Sequence, residues 1–128
     1  MKITRSQINE RELTKFGFQA TELIKEHKYK EVENRFGYAL AFGKSPADVI
    51  KNEVTTCLSQ AGIVAKLSAN SKPNVVVKFF EENSTVLIAV VECTLVIENG
   101  AGEILVELIV AGDDTETHLS LEQISYQT

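Results

Sequence analysis

Thr85-Val-Leu-Ile-Ala-Val-Val-Glu-Cys-Thr-Leu-Val-Ile97, Glu98-Asn-Gly-Ala-Gly102 and Glu103-Ile-Leu-Val-Glu-Leu-Ile-Val-Ala111 are three consecutive stretches of one pattern. Two β-branched, apolar runs flank Asn99-Gly100, the strongest short-range hairpin signal. In the first run Leu87, Ala89, Val91, Cys93, Leu95 and Ile97 share one apolar face. In the second, Ile104, Val106, Leu108 and Val110 do the same, with Glu103 and Glu107 pointing the other way. Setting Ile97 opposite Ile104 puts Leu95 opposite Val106 and Cys93 opposite Leu108. A slip of one residue would turn one strand's apolar set outward, so the pattern fixes the register up to steps of two.

The other face of this hairpin is not cleanly polar. Val86, Ile88, Val90, Leu105 and Ile109 fall on it among Glu92 and Glu107. A sheet with one solvated face alternates more strictly than this. Something is therefore expected to cover part of it, either a second chain or the protein's own helices. The candidate interface is Ile88, Val90, Glu92, Leu105, Glu107 and Ile109.

Working outward, Asn9 to Glu12 reads as a capping box, with Asn9 accepting from an early helical N–H and Glu12 reaching back. Leu13, Phe16, Gly17, Ala20, Leu23, Ile24 and His27 follow at helical spacing, predicting an amphipathic helix of about five turns. Gly17 inside it points to a close contact, and His27 at its end suits the helix dipole. A second, weaker helix is predicted over about Glu31 to Phe42 and ended by Gly43. The alternation of Tyr38, Leu40 and Phe42 leaves a short extended piece as the other reading there. Ser45 as N-cap, Pro46 at the first position and Asp48 at the third start a further helix. Ile50, Val54, Cys57, Leu58 and Ala61 form its apolar stripe, and Gly62 stops it.

Ile63 to Leu67 is a short strand or a frayed connection. Ser68 to Asn74 is a loop, Val75 to Phe80 a strand, and Glu81 to Ser84 the turn into the central hairpin. After the turn at 111–114, Thr115 to Leu121 is the last strand, with Leu119 and Leu121 inward and Ile124 and Tyr126 as an extension. The expected fold is α+β: one domain over 1–128, with helices in about 1–62 packed on one face of a curved antiparallel sheet of about four strands in 63–128.

The chain has 13 basic and 18 acidic residues, and every base lies at or before Lys78. After Lys78 come ten acids and no base, namely Glu81, Glu82, Glu92, Glu98, Glu103, Glu107, Asp113, Asp114, Glu116 and Glu122. This predicts an acidic surface that rejects nucleic acid and suits a basic protein partner. The polar opening, Met1 to Glu10, lacks the apolar core of a secretion signal. The longest apolar run, Val86 to Val91, is far short of the ~18 residues that span a membrane. Cys57 and Cys93 each sit in an apolar phase and read as buried free thiols, placing the chain in the cytoplasm. Asn83-Ser84-Thr85 matches a glycosylation pattern, which is discounted without a secretion signal.

A search for chemistry assigns no catalytic, cofactor-binding or metal-ligating residue. Gly100-Ala-Gly102 lacks a third glycine and opens a strand, so it does not match a dinucleotide fingerprint. Asp113, Asp114, Glu116 and His118 cluster near one turn but lack the spacing of a calcium loop. The inward strand faces carry no acid or base to act in catalysis; helix residues such as Arg35 or Tyr38 remain candidates for a cavity mouth.

Leu23-Ile24-Lys25-Glu26-His27-Lys28-Tyr29-Lys30-Glu31-Val32 followed by Phe36 is similar to the first helical turn-over of nuclear-transport-factor-2-like (cystatin-type cone) domains. The Ser-Pro-Ala-Asp helix ending in Gln-Ala-Gly, then a curled meander, also resembles their layout. The resemblance implies a cone-shaped α+β fold and sheet-to-sheet dimerisation. The function expected is a non-enzymatic cytoplasmic protein-interaction module, a homodimer, with an acidic inhibitor or immunity-type protein as one concrete version. The alternative is a small-molecule-binding protein or pocket enzyme of the same superfamily.

Overall fold

The computed structural model describes residues 1–81, 86–112 and 115–128. The readings made on Asn83, Ser84, Thr85, Asp113 and Asp114 lie outside the described residues. The chain opens with β1 (Lys2–Ile3) and a 3-10 turn (Arg5–Gln7), followed by α1 (Glu10–Lys25) and α2 (Tyr29–Phe36). A second 3-10 turn (Ala39–Ala41) leads to α3 (Pro46–Ala61). Then come β2 (Lys66–Leu67), β3 (Asn74–Phe79), β4 (Leu87–Glu98), β5 (Glu103–Gly112) and β6 (Thr117–Gln127). The fold is α+β, with helices packed on a curled antiparallel sheet in the order β1-β6-β5-β4, where β2 and β3 both pair with β4. The four long strands are the expected meander, and β1 and β2 add two residues each at its margins.

One hydrophobic cluster joins the layers. Leu13, Phe16, Ala20 and Ile24 of α1, Val32 and Phe36 of α2, and Ile50, Val54 and Cys57 of α3 pack with Val91, Cys93, Leu95, Ile104, Val106, Leu108, Leu119 and Leu121. The helices therefore share one face of the sheet. Gly17 makes the closest approach: a Cβ there would sit 2.7 Å from Val75 Cγ1 and 3.0 Å from Val91 Cγ1. Helix α1 lies tightly on β3 and β4 because that side chain is missing.

The hairpin register differs from the first reading by two residues. Leu95, not Ile97, faces Ile104; Cys93 pairs with Val106 and Val91 with Leu108. The ladder centres on Asn99-Gly100, and Asn99 takes the left-handed conformation at φ 58°. Ile97 and Glu98 instead pair across to Leu67 and Lys66 of β2. The hairpin loop is held from outside: the Ala101 N–H donates to Ala61 O at 3.0 Å, and the Tyr126 hydroxyl donates to Ala101 O at 2.7 Å. Gly102, at φ +79°, has Gln127 O where a Cβ would stand.

Two bulges re-phase the strands. The β4–β5 ladder shifts between Leu87 and Ala89. Leu87, expected inward, pairs with Ala111 and is 40% exposed, while Ile88, expected outward, packs against the core. The β5–β6 ladder shifts between Glu107 and Leu108, so Gln123 faces Glu107 and Leu121 faces Leu108, with Glu122 as the extra residue. That extra residue carries the inward phase from Leu121 to Ile124, and the bulge adds local twist to the sheet.

Helix starts follow the sequence in two cases and depart from it in a third detail. Asn9 Oδ1 accepts from the Glu12 N–H at 2.9 Å, as a cap should. The second helix ends at Phe36, not Phe42; Tyr38 forms a lone parallel bridge with Leu121, and the turn at Ala39–Ala41 follows. Helix α3 starts at Pro46, but the Ser45 side chain makes no capping bond to the helix. Glu33 Oε1 of α2 takes that place, accepting from the Ala47 N–H at 3.2 Å. Lys30, Ala47 and Ser45 together hold the Glu33 carboxyl below its ordinary pKa. Glu33 thus satisfies an otherwise open donor of α3 and brings a negative charge to its N-terminus. Glu33→Ala is expected to lower the denaturation midpoint more than Ser45→Ala does. A larger loss on Ser45→Ala would return the cap to the serine.

Candidate interaction face

With every helix on one side, the other side of the sheet is left to side chains alone. Its residues stand in rows set by the ladders. Lys78 pairs with Val90, Val90 with Ile109, and Ile109 with Ser120. The next row is Val76, Glu92, Glu107 and Gln123, and the one beyond it Asn74, Thr94, Leu105 and Ser125. Val90, Glu92, Leu105, Glu107 and Ile109 are half-buried by their neighbours alone. Val76 and Val96 are more than two-fifths exposed on the same face.

Five of the six candidate residues are brought together here. Ile88 is not: the bulge turns it to the end of the core, where it lines a cleft with Ile3, Ile8 and Thr117. A strict period of two cannot reveal a bulge, because the extra residue is set by the neighbouring strand. The position Ile88 vacates on the open face is taken by Leu87 beside Ala111.

The electrostatics centre on the Glu92–Glu107 pair, like charges directly opposite each other, with Val90 and Ile109 in the row on one side and Leu105 in the row on the other. Such a pairing opposes sheet formation. Lys78 Nζ relieves one partner, lying 2.6 Å from Glu92 Oε1, and these contacts raise the lysine pKa. Burial, then the Glu92 and Glu122 charges, push the Glu107 carboxyl above its ordinary value, while Lys78 pulls it down. Glu107 is thus a carboxylate poorly accommodated by its own chain.

The remaining polar groups that the sequence marked for chemistry lie away from this face. The Tyr38 hydroxyl donates to Glu53 Oε2 on α3, and burial followed by that bond raises its pKa. Arg35 lines a separate cleft on α1. His27 is exposed and its Nδ1 lies 3.0 Å from the Tyr29 hydroxyl. Of the acidic turn, Glu116 pairs with His118 at 3.2 Å and with Lys2 at 3.8 Å. Both cysteines are free and buried; desolvation raises the Cys57 thiol and pushes the Cys93 thiol to about 12. Among the described residues no helix is long and apolar enough to cross a membrane. No family model, no curated protein and no solved structure matches this chain.

The raised Glu107 pKa makes a signed test. The folded state holds that proton more tightly than the unfolded chain, so stability falls as pH rises from the ordinary Glu value through the raised one. Glu107→Gln is expected to stabilise the protein at pH 7 by about 0.5 kcal/mol, a small amount because solvent screens the pair. The gain should vanish below about pH 4, where the carboxyl is protonated in both states. A destabilised variant at pH 7 would mean that Glu107 has a favourable partner, on its own chain or, at concentrations where copies pair, on a second copy.

Proposed function

We propose that this chain is a non-enzymatic protein-interaction module that pairs with a second copy of itself through the open face of its sheet. The observation that carries the reading is the uncovered patch of Val90, Leu105 and Ile109, extended by Leu87 and Val96, around the Glu92–Glu107 pair. Clustered exposed apolar surface of this kind marks an interaction site. Charge supports a second copy as the occupant. The face carries both a base at one margin, Lys78, and an ill-accommodated acid at its centre, Glu107. An isologous two-fold sets the same face of each protomer against the other, so a second copy brings a Lys78 of its own to the interface.

The filling of the space between helices and sheet favours this reading over a pocket enzyme. Among the described residues the buried set is apolar apart from Thr21, Ser68, Thr117, the Tyr38 hydroxyl and the two thiols, and it includes no carboxylate, histidine or lysine for proton transfer. The proposal includes kinship with the nuclear-transport-factor-2-like superfamily, supported by helices that precede a curled antiparallel sheet. It also places the protein in a reducing compartment, the cytoplasm, supported by two unpaired buried thiols. A basic protein in place of the second copy is the inhibitor or immunity-type version, favoured by the Glu107 carboxylate that its own chain satisfies poorly.

Sedimentation equilibrium at tens of micromolar separates the two. The wild type is expected to be a dimer. Val90→Glu with Ile109→Glu should give a folded monomer with an unchanged far-ultraviolet spectrum. A monomeric wild type would overturn self-pairing and leave the basic partner as the occupant of the face.

A further inference from the structure

Basic groups from three separate elements converge on a cleft away from the sheet face, between α1, the end of α2 and the loop that follows β2. The cleft measures about 600 Å³ and its charged lining is Lys25, Arg35 and Lys72 against Glu22. A surplus of positive charge at one place is notable on a chain whose net charge is −5. The size lies within the range of small-molecule sites.

The three bases do different things. Lys25 is structural: its side chain is 9% exposed, and Nζ lies 4.0 Å from Glu22 Oε2 while donating to Ser71 O at 3.1 Å. It ties the loop to α1 and offsets the one acid in the cleft. Arg35 is exposed, and its guanidinium makes one long hydrogen bond, Nη1 to Gln19 Oε1 at 3.4 Å. Lys72 stands with Nζ 4.9 Å from the centroid of the Phe18 ring. Neither Arg35 nor Lys72 forms an ion pair with a carboxylate among the described residues. An Arg fork matches a planar or tetrahedral oxyanion bidentately, and an ammonium held over an aromatic face keeps its donors for a second oxygen. Phe18, Leu23 and Pro73 supply an apolar wall beside these charges.

We propose that this cleft binds a small organic oxyanion, a carboxylate or phosphate carried on an apolar body. Arg35 clasps the oxyanion, Lys72 adds the second positive charge, and Phe18 meets the apolar part. Lys25 acts as a positioning residue by holding the loop that carries Lys72. The inference stands apart from the sheet-face reading, and a protein that proved monomeric would leave it intact.

The test is titration of the isotope-labelled full chain, followed by amide chemical shifts, with three probes: 3-phenylpropionate, phenyl phosphate and neutral 3-phenylpropionamide. Saturable shifts are expected within residues 18–25, at Arg35 and within 69–73 for at least one of the anions. The tighter of the two identifies carboxylate or phosphate as the preferred oxyanion. The amide should bind at least about tenfold more weakly, and Arg35→Gln and Lys72→Gln should each weaken the anion about fivefold or more. Both residues are exposed, so the variants are expected to keep the wild-type spectrum elsewhere. No saturable shift at the cleft with either anion, equal binding of the amide, or unchanged binding by Arg35→Gln would overturn the proposal.

Discussion

The pairing of β4 with β5 is the constraint on which the rest depends. Leu95 against Ile104, Cys93 against Val106 and Val91 against Leu108 put the inward residues of this hairpin on one side. Once that parity is fixed, the apolar stripes of α1 and α3 have one place to go. Helix α1 settles on β3 and β4 through Gly17, and α3 settles on β5 and β6. The buried residues of all three helices join a single cluster with the strands. The same parity leaves Val90, Leu105 and Ile109 on the face opposite the helices of the described residues. The closed core and the open face are two consequences of one ladder.

Both bulges modify that ladder without breaking it. The first, at Leu87–Ala89, turns Ile88 into the core end and Leu87 out to the open face. The second, at Glu122, lets Ile124 follow Leu121 into the core and curls the sheet around the helices. On the open side the ladder places Glu92 against Glu107, a repulsion only half relieved by Lys78. A chain that keeps two carboxylates directly opposite each other gives up stability there. A partner that brings positive charge, or a second copy that brings its own Lys78, would recover it.

Much of the architecture was legible in residue order. The cap at Asn9, Pro46 at a helix start, and the apolar runs on either side of Asn99-Gly100 located the elements and their class. What escaped the sequence has physical reasons. The hairpin register was open by two residues because an apolar pattern of period two is unchanged by that shift. Contacts from α3, β2 and Tyr126 to the loop settle it, and these are tertiary. Ser45 looked like the cap of α3, but Glu33, twelve residues earlier, reaches the Ala47 amide because α2 packs against α3. Of the candidate interface, Val90, Glu92, Leu105, Glu107 and Ile109 were readable from alternation, whereas the displacement of Ile88 is a property of the bulge. The basic cleft gave a fainter signal. Arg35 was marked for a cavity mouth, and Phe18, an aromatic lying off the apolar stripe of α1, is the residue that would have pointed to its location.

We propose that the side of β4 and β5 facing away from the helices meets a second copy of the chain. Isotope-filtered nuclear Overhauser spectra of a mixture of methyl-labelled and unlabelled protein test it directly. Cross-peaks are expected from the Leu105 and Ile109 methyls to the unlabelled chain, and none from Ile88, which lies at the core end. Intermolecular cross-peaks confined to helix residues, or none at Leu105 and Ile109, would contradict it.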